Sequence, residues 1–423
     1  MNNTILKNYA NLFVRAGGNV QKGQTVVIYS NIDAAYFARM VEECAYDAGA
    51  SEVVMFWRDE VSTRTKYLRG ADEIFSEYPD WMVERFKYYD DKGAVYLTIL
   101  SDDPDLLNGV DPNRLKNFSK AASEKTKDHS ALTMSYKVRW SLCAIPSPSW
   151  AKKMFPALPE NEAIDRLWEL ILKAVRADGD DPIGEWQRHR ESFVERVNYL
   201  NEQQFHALRI TTGLGTDLTI GMPKNQVWKG GGGLCANEIP FFPNIPTEEV
   251  FSAPDRNRAD GRVVASMPLS YQGNLITDID LTFKDGVVIK HSASQNQEIL
   301  DNIIKADDDA KDTATTFEGS RRLGEVAFVA NSSPISQMQT LFYNTLYDEN
   351  ASCHLALGKA YPANIKGGTE LSREELIAQG VNDSLIHVDF MVGTSDICII
   401  GIYEDGREVV VMDDGEYVQM PNS

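Results

Sequence analysis

The run from Ile5 to Leu100 constrains the fold most, because short apolar strands alternate in it with amphipathic helices. Ile5, Tyr9, Leu12 and Phe13 recur at helical spacing over residues 4–16, and Gly17-Gly18 ends the stripe. Thr25–Tyr29 then predicts a buried strand, Ala34–Ala48 a helix with Phe37, Met40, Val41 and Cys44 on one side, and Glu52–Trp57, after Gly49, a second strand. Strand, helix and strand in that order form a βαβ unit, normally parallel and right-handed. A further strand over Ala94–Leu100 extends it to an open α/β sheet. Such a sheet can hold a dinucleotide, but Tyr29-Ser-Asn-Ile-Asp33 lacks the glycines that let a backbone approach a pyrophosphate, and that reading is rejected.

Pro146, Pro148 and Pro156 mark an irregular segment, after which residues 160–176 and 183–202 read as helices, the second laced with alternating charge. From about residue 206 the pattern changes to short strands over Leu208–Thr212, Asp217–Ile220, Val263–Met267, Leu281–Phe283 and Val287–Ile289, with Asp285-Gly286 as a hairpin signal. We therefore expect an α/β chain, with an amino-terminal open α/β (βαβ) domain over residues 1–205 and a largely antiparallel α+β domain over 206–423. Lys305–Gly319 is polar and acidic and reads as a mobile surface loop. Ile335, Met338, Leu341, Phe342, Thr345 and Leu346 follow helical spacing, so a helix is expected to lead into Asp348-Glu349-Asn350 and His354. Ser372-Arg-Glu-Glu375 is a capping box for a short helix that Gly380 closes.

Lys plus Arg number 42 against 62 Asp plus Glu, a formal charge of -20, which opposes binding to nucleic acid or an anionic membrane surface. The first residues have no apolar stretch of signal-peptide length, and no run approaches a membrane span, so a cytoplasmic protein is expected. The 5 cysteines are scattered without a Cys-x-x-Cys pair, and neither a disulfide framework nor a thiolate zinc site is indicated. They read as small buried hydrophobes.

Chemistry concentrates between Cys353 and Met391, which holds His354, Tyr361, His387 and Asp389 in a chain of only 6 histidines. Ser384–Val392 alternates as a strand, so His387 and Asp389 should project from one face, where imidazole and carboxylate can share a Zn²⁺ or Co²⁺. Taken alone, this spacing is equally what satisfied core or surface residues would show. More carboxylates would be needed for two ions, and two segments offer them: Glu248-Glu249 after Asn244-Ile-Pro-Thr, and Glu325 at the mouth of an apolar strand. Carboxylates are seldom buried without a partner.

Pro-Thr-Glu-Glu-Val-Phe, Arg-Arg-Leu-Gly-Glu-Val-Ala, the stretch from Phe342 to Tyr361, and His-Val-Asp-Phe-Met-Val-Gly, in this order, resemble the thermophilic metalloaminopeptidases of the aminopeptidase T, aminopeptidase S and PepS type. The likeness spans nearly the whole chain. It implies that Glu249, Glu325, His354, His387 and Asp389 hold two divalent metal ions, zinc or cobalt, in a catalytic second domain. Tyr361 and Glu325 are implied as catalytic, although which glutamate carries the proton stays open. A homodimer acting on peptides with a free amino terminus is implied as well. Around 305–319 the chain is longer than the family pattern, which bears on the path into Glu325 and not on the ligands.

Tyr361 lies seven residues after His354, and a continuous helix ended by Pro362 would set both on one side of the centre. Competing readings are a metal-dependent dipeptidase or amidase with the same centre, and a non-catalytic α/β protein that binds a small ligand. No His-Glu-x-x-His occurs, and Gly230–Gly233 lacks the spacing and ending of a phosphate loop, so it reads as a turn near the site.

Overall fold

In the computed structural model, residues 2–235, 238–308 and 318–418 are described. The chain forms two compact units, Met1–Arg188 with Gly232–Pro246, and His189–Gly231 with Thr247–Ser423. The chain thus crosses between units more often than at the one boundary expected after residue 205.

The first unit is built on a five-stranded, wholly parallel sheet in the order Asn244–Ile245, Trp140–Ala144, Val95–Leu100, Thr25–Asn31, Glu52–Arg58. Its central strands read as unbroken apolar runs because helices cover them, as parallel connections require. The expected helices appear at Asn3–Leu12, prolonged by a wider turn to Gly17, and at Ala35–Asp47. Asn2 caps the first by accepting from the Thr4 N–H.

The second unit carries two antiparallel sheets. One has eight strands, in the order Val287–Ser292, Asp280–Lys284, Ala259–Val264, Asp217–Gly221, Ala207–Thr211, Cys398–Ile402, Glu408–Asp413, Glu416–Tyr417. The strand expected over Val263–Met267 thus begins earlier and ends at Val264. The other sheet has five strands, ordered His387–Met391, His354–Gly358, Leu323–Phe328, Val250–Ser252, Lys229–Gly230. Val326, Phe328, Leu355, Leu357, Val388 and Phe390 join Leu208, Ile210, Leu218, Ile220, Leu281 and Ile399 in one buried core. Since successive strand residues alternate in direction, the other face of the five-stranded sheet is free for polar groups.

Two expectations fail between residues 335 and 361. Instead of a helix over 335–346, there is a single tight turn at Ser336–Met338 and one short helix at Thr345–Asp348. Gln339 and Tyr343 take left-handed backbone angles, φ 48° and 56°, which no helix accommodates. His354 and Tyr361 do not share a helix either: His354 opens the strand His354–Gly358, and Tyr361 lies in extended backbone just beyond it. The capping box forms as expected, Ser372 accepting from the Glu375 N–H while Glu375 accepts from that of Ser372. Of the expected loop at 305–319, residues 309–317 lie outside the described residues.

Gly324 sets the direction of Glu325. Leu323 pairs with Leu357 while Glu325 pairs with Ala356, so Gly324 is an extra residue, a bulge that sends Leu323 to the core face and Glu325 to the other. A Cβ on Gly324 would lie 2.3 Å from the Gly358 carbonyl and 2.6 Å from that of Lys359. Gly324→Ala is therefore expected to cost about 1–3 kcal/mol through forced backbone movement. Denaturant unfolding checks this, and a variant as stable as the parent would refute the account of the bulge.

Candidate metal centre

The ladder register brings the polar side chains together. Glu325, Ala356 and Asp389 lie in one row across three strands, with Ala327, His354 and Met391 in the next row and Gly358 and His387 in another. All project to the face opposite the core, and Ala327, Ala356 and Gly358 leave room between the longer side chains. On the neighbouring strand Val250 and Ser252 pair with Phe328 and Val326, so Phe251 and, just ahead of it, Glu249 alternate to the same face as His354.

Nε2 of His354 lies 3.0 Å from Oε2 of Glu249 and 3.4 Å from Oε1 of Glu325. Nε2 of His387 lies 3.7 Å from the other Glu325 oxygen, Oε2, and 3.2 Å from Oδ1 of Asp389. Two overlapping groups result, Glu249–Glu325–His354 and Glu325–His387–Asp389, each with one ligand atom per residue and all atoms within 4.8 Å. Glu325 belongs to both. Backbone carbonyls hold the imidazoles: Nδ1 of His354 lies 3.2 Å from the Ser352 oxygen, and Nδ1 of His387 lies 2.6 Å from that of Lys359. A proton on Nδ1 then leaves the Nε2 lone pair facing the carboxylates.

The charges are far from their ordinary balance. Burial pushes the Glu325 carboxyl up to about 7, His354 pulling it back and Glu249 adding to the rise. For His387 burial acts downward, but Asp389 and Glu325 outweigh it and raise the imidazole to about 10. His354 is likewise held well above its usual range, Glu249 and Glu325 overcoming burial, while His387 keeps Asp389 low against the opposing effect of its burial. Oδ1 of Asp389 is buried and faces the His387 imidazole outside hydrogen-bond geometry. Carboxylates crowded around deprotonatable imidazoles in this way are a donor set that fits divalent cations of the zinc and cobalt type.

Each residue singled out in the sequence has a definite place. Of the paired glutamates, Glu249 joins the centre, while Glu248 sits 3.7 Å from His189 and its N–H donates to the Asn350 side chain at 2.6 Å. The Tyr361 ring stands 5.3 Å from that of His387 and 5.8 Å from that of Phe251. Burial, then the charges of Glu325 and Asp389, hold its phenol well above the usual range, so it is a proton donor at neutral pH. Cys353 is a core residue: its thiol donates to the Val329 carbonyl at 3.3 Å, and burial pushes it up to about 11. Cys398, by contrast, is only partly buried. Gly230 extends the strand that begins at Lys229, pairing with Val250.

Glu349 was missed. Burial first, then Glu249 and Asp389, hold its carboxyl well above the usual range, which places it among the same charges. The signal was its position five residues before His354, where an expected helix was read only as leading through Asp348-Glu349-Asn350 to His354. Asp348 beside it is structural, accepting from the N–H groups of Phe342 at 2.6 Å and Asn344 at 3.0 Å. Asn350 accepts from Glu248 and donates to the Leu346 carbonyl, tying the Glu249 segment to this turn.

A metalloprotease centre is what such a sheet and donor set define. The model of the thermophilic metalloprotease (M29) family matches residues 2–417, and the chain belongs to that family. It is 42% identical to aminopeptidase 2 of Geobacillus stearothermophilus over 97% of each chain. It is also 42% identical to aminopeptidase AmpS of Bacillus subtilis (strain 168), over 97% of this chain and 98% of that one. The structure of wild-type AmpT from Thermus thermophilus superposes with a TM-score of 0.90 at 35% identity, covering 99% of this chain and 100% of that one. No helix among the described residues is long and apolar enough to cross a membrane.

Asp348→Ala should leave the buried N–H groups of Phe342 and Asn344 without an acceptor, at about 1–3 kcal/mol each. Asp348→Asn, which keeps one carbonyl oxygen, should lose less. Urea unfolding of both variants checks the order, and equal stability of Asp348→Ala and the parent would dismiss the anchor.

Proposed function

We propose that this metalloaminopeptidase releases amino-terminal residues from peptides with the help of two divalent cations, one held by Glu249, Glu325 and His354, the other by Glu325, His387 and Asp389. The observation that carries the reading is the division of Glu325, whose Oε1 faces His354 while Oε2 faces His387. A carboxylate so placed could be shared by two ions. Bound in pairs, such cations make a water acidic enough to attack near neutral pH and polarise the scissile carbonyl.

The chain's own residues supply the rest. Glu349, beside the ligand groups and in neither of them, is free to accept from the α-amine of a peptide and so to register the substrate at its first residue. Glu349, which belongs to neither ligand group, binds a proton more readily than an exposed carboxylate and can carry one from the attacking water to the leaving amine. Tyr361 stays protonated beside His387 and donates to the oxygen that turns anionic in the transition state.

Exhaustive chelation is expected to abolish hydrolysis of amino-acyl anilides, return of Zn²⁺ or Co²⁺ to restore it, and acetylation of the substrate amine to block it. His387→Ala and Asp389→Ala should each fold and lose both bound metal and rate. Full activity with no metal left by elemental analysis would end the proposal, as would a parental rate and metal content in either variant.

Tyr361→Phe should keep metal and fold while kcat drops about 10²–10³-fold, the usual loss when one oxyanion donor is removed. KM should barely move, since the hydroxyl acts on charge that develops only in the transition state. Steady-state kinetics decide it: a kcat within a factor of about three of the parent removes Tyr361 from catalysis.

A further inference from the structure

One buried arginine of the second unit lacks a counter-ion in contact with it. Arg256 is only 9% exposed, and no hydrogen bond or ion pair reaches its guanidinium among the described residues; its Nε is sealed from solvent without a partner. Arg322 comes to the same place. Its Nη1 donates to the Arg256 carbonyl at 2.7 Å and to the Asn257 side chain at 3.3 Å, and its Nη2 donates to Glu318 at 2.7 Å. The Arg322 Nε is again buried and unpartnered. Two neighbouring guanidiniums therefore each hold an N–H donor that meets no acceptor.

The acids around them are engaged elsewhere. Glu318 is taken by Arg322, Asp383 by Arg373, and Asp255 by the Asn257 N–H at 3.0 Å and more loosely by Arg258 at 3.9 Å. Burial first, then Arg322, hold the Arg256 guanidinium below its usual range, and the pull of Asp383, Glu318 and Asp255 does not restore it. An arginine keeps its proton even so, and a buried charge that cannot be shed calls for an ion of opposite sign.

We propose that Arg256, with the Nε–H of Arg322, binds a small monovalent anion of the chloride class. Charge sets the valence. Glu318 matches Arg322, which leaves one positive charge, so one negative charge balances it and a second would be repelled by Glu318, Asp383 and Asp255. The burial of both Nε atoms favours a bare ion over a carboxylate that brings a chain with it. Bound there, the anion fastens the entry to the strand of Glu325. Arg322 stands directly before Leu323–Phe328, its carbonyl accepts from the Gly358 N–H at 2.8 Å, and Asn382 donates to the carbonyls of Gly319 and Gly358 at 2.8 and 2.6 Å in the same corner. Joining Arg322 to Arg256 ties this corner to the segment that follows Val250–Ser252 on the neighbouring strand.

Thermal unfolding in sodium chloride against sodium gluconate at equal ionic strength tests the proposal, together with anomalous diffraction from crystals soaked in sodium bromide. In the parent, chloride and bromide should raise the unfolding midpoint by about 3 °C and saturate in the millimolar range, as a ligand about tenfold above its dissociation constant does. Bromide should give a peak against the Arg256 guanidinium. Arg256→Met should lose both the shift and the peak, whereas Arg256→Lys, which keeps a charge, should retain part of the shift. Equal midpoints in chloride and gluconate would overturn the assignment in the parent alone, so a variant that fails to fold leaves the test intact. An Arg256→Met protein that responds to chloride as the parent does would overturn it too, as would a bromide map with no peak at that guanidinium.

Discussion

Repulsion among carboxylates that share one face of one sheet is the constraint on which the second unit depends. Two like charges 4 Å apart repel by about 4 kcal/mol at the effective dielectric of a protein surface, and more as water is excluded. Glu249, Glu325, Asp389 and Glu349 lie within such a range of influence, with Glu249 and Glu325 buried. A chain whose object was stability alone would hold apolar side chains here, as it does on the opposite face at Val326, Leu355, Leu357 and Val388. The arrangement persists because the sheet's other side is committed to the core, and a period of two assigns the intervening residues to the acid face without choice.

Holding the acids close is the task of groups that never touch a substrate. Carbonyls of Ser352 and Lys359 orient the two imidazoles, and Asn350 joins the Glu249 segment to the turn that carries Glu349. Asp348 closes that turn by collecting two backbone N–H groups. All of these are bonds to backbone, and the Asp348 carboxylate spends its oxygens on two backbone N–H groups.

How far this was legible follows from where each residue's environment is set. Thr25–Asn31 and Val95–Leu100 could be read because a strand buried on both sides is apolar throughout, Glu52–Arg58 because its run Val53–Trp57 stays apolar even at the edge of the sheet, and His387–Met391 because alternation survives in a strand with one polar face. Helices at Glu60–Arg69, Asp80–Asp91 and Pro112–Lys125 have no fully buried residue, so they leave little stripe to detect. Residues 335–348 have apolar side chains at helical spacing and still do not form one continuous helix. The Asp348 side chain takes the N–H groups there, and left-handed angles at Gln339 and Tyr343 bend the path. Glu349 was hidden by that same error. The five residues of the candidate centre became legible as a set only through family motifs, since Glu249 and Glu325 lie far from His387 in sequence and nothing local announces that they meet.

Protons and cations have affinity for the same atoms of the centre. His387, lifted to about 10, and His354, also lifted, would each carry a proton at neutral pH, and Glu325 near 7 would be partly protonated. Those protons sit on the same nitrogen and oxygen atoms that form the two overlapping groups of ligands. A proton on Nε2 satisfies one neighbour at a time, whereas a divalent cation brings twice the charge and accepts several donors at once. Carbonyls already occupy both Nδ1 atoms, so the imidazoles cannot turn away to relieve the crowding. Protons and metal ions thus compete for one set of atoms, and a higher pH favours the ions because it removes their rival, from Glu325 first and from the histidines later.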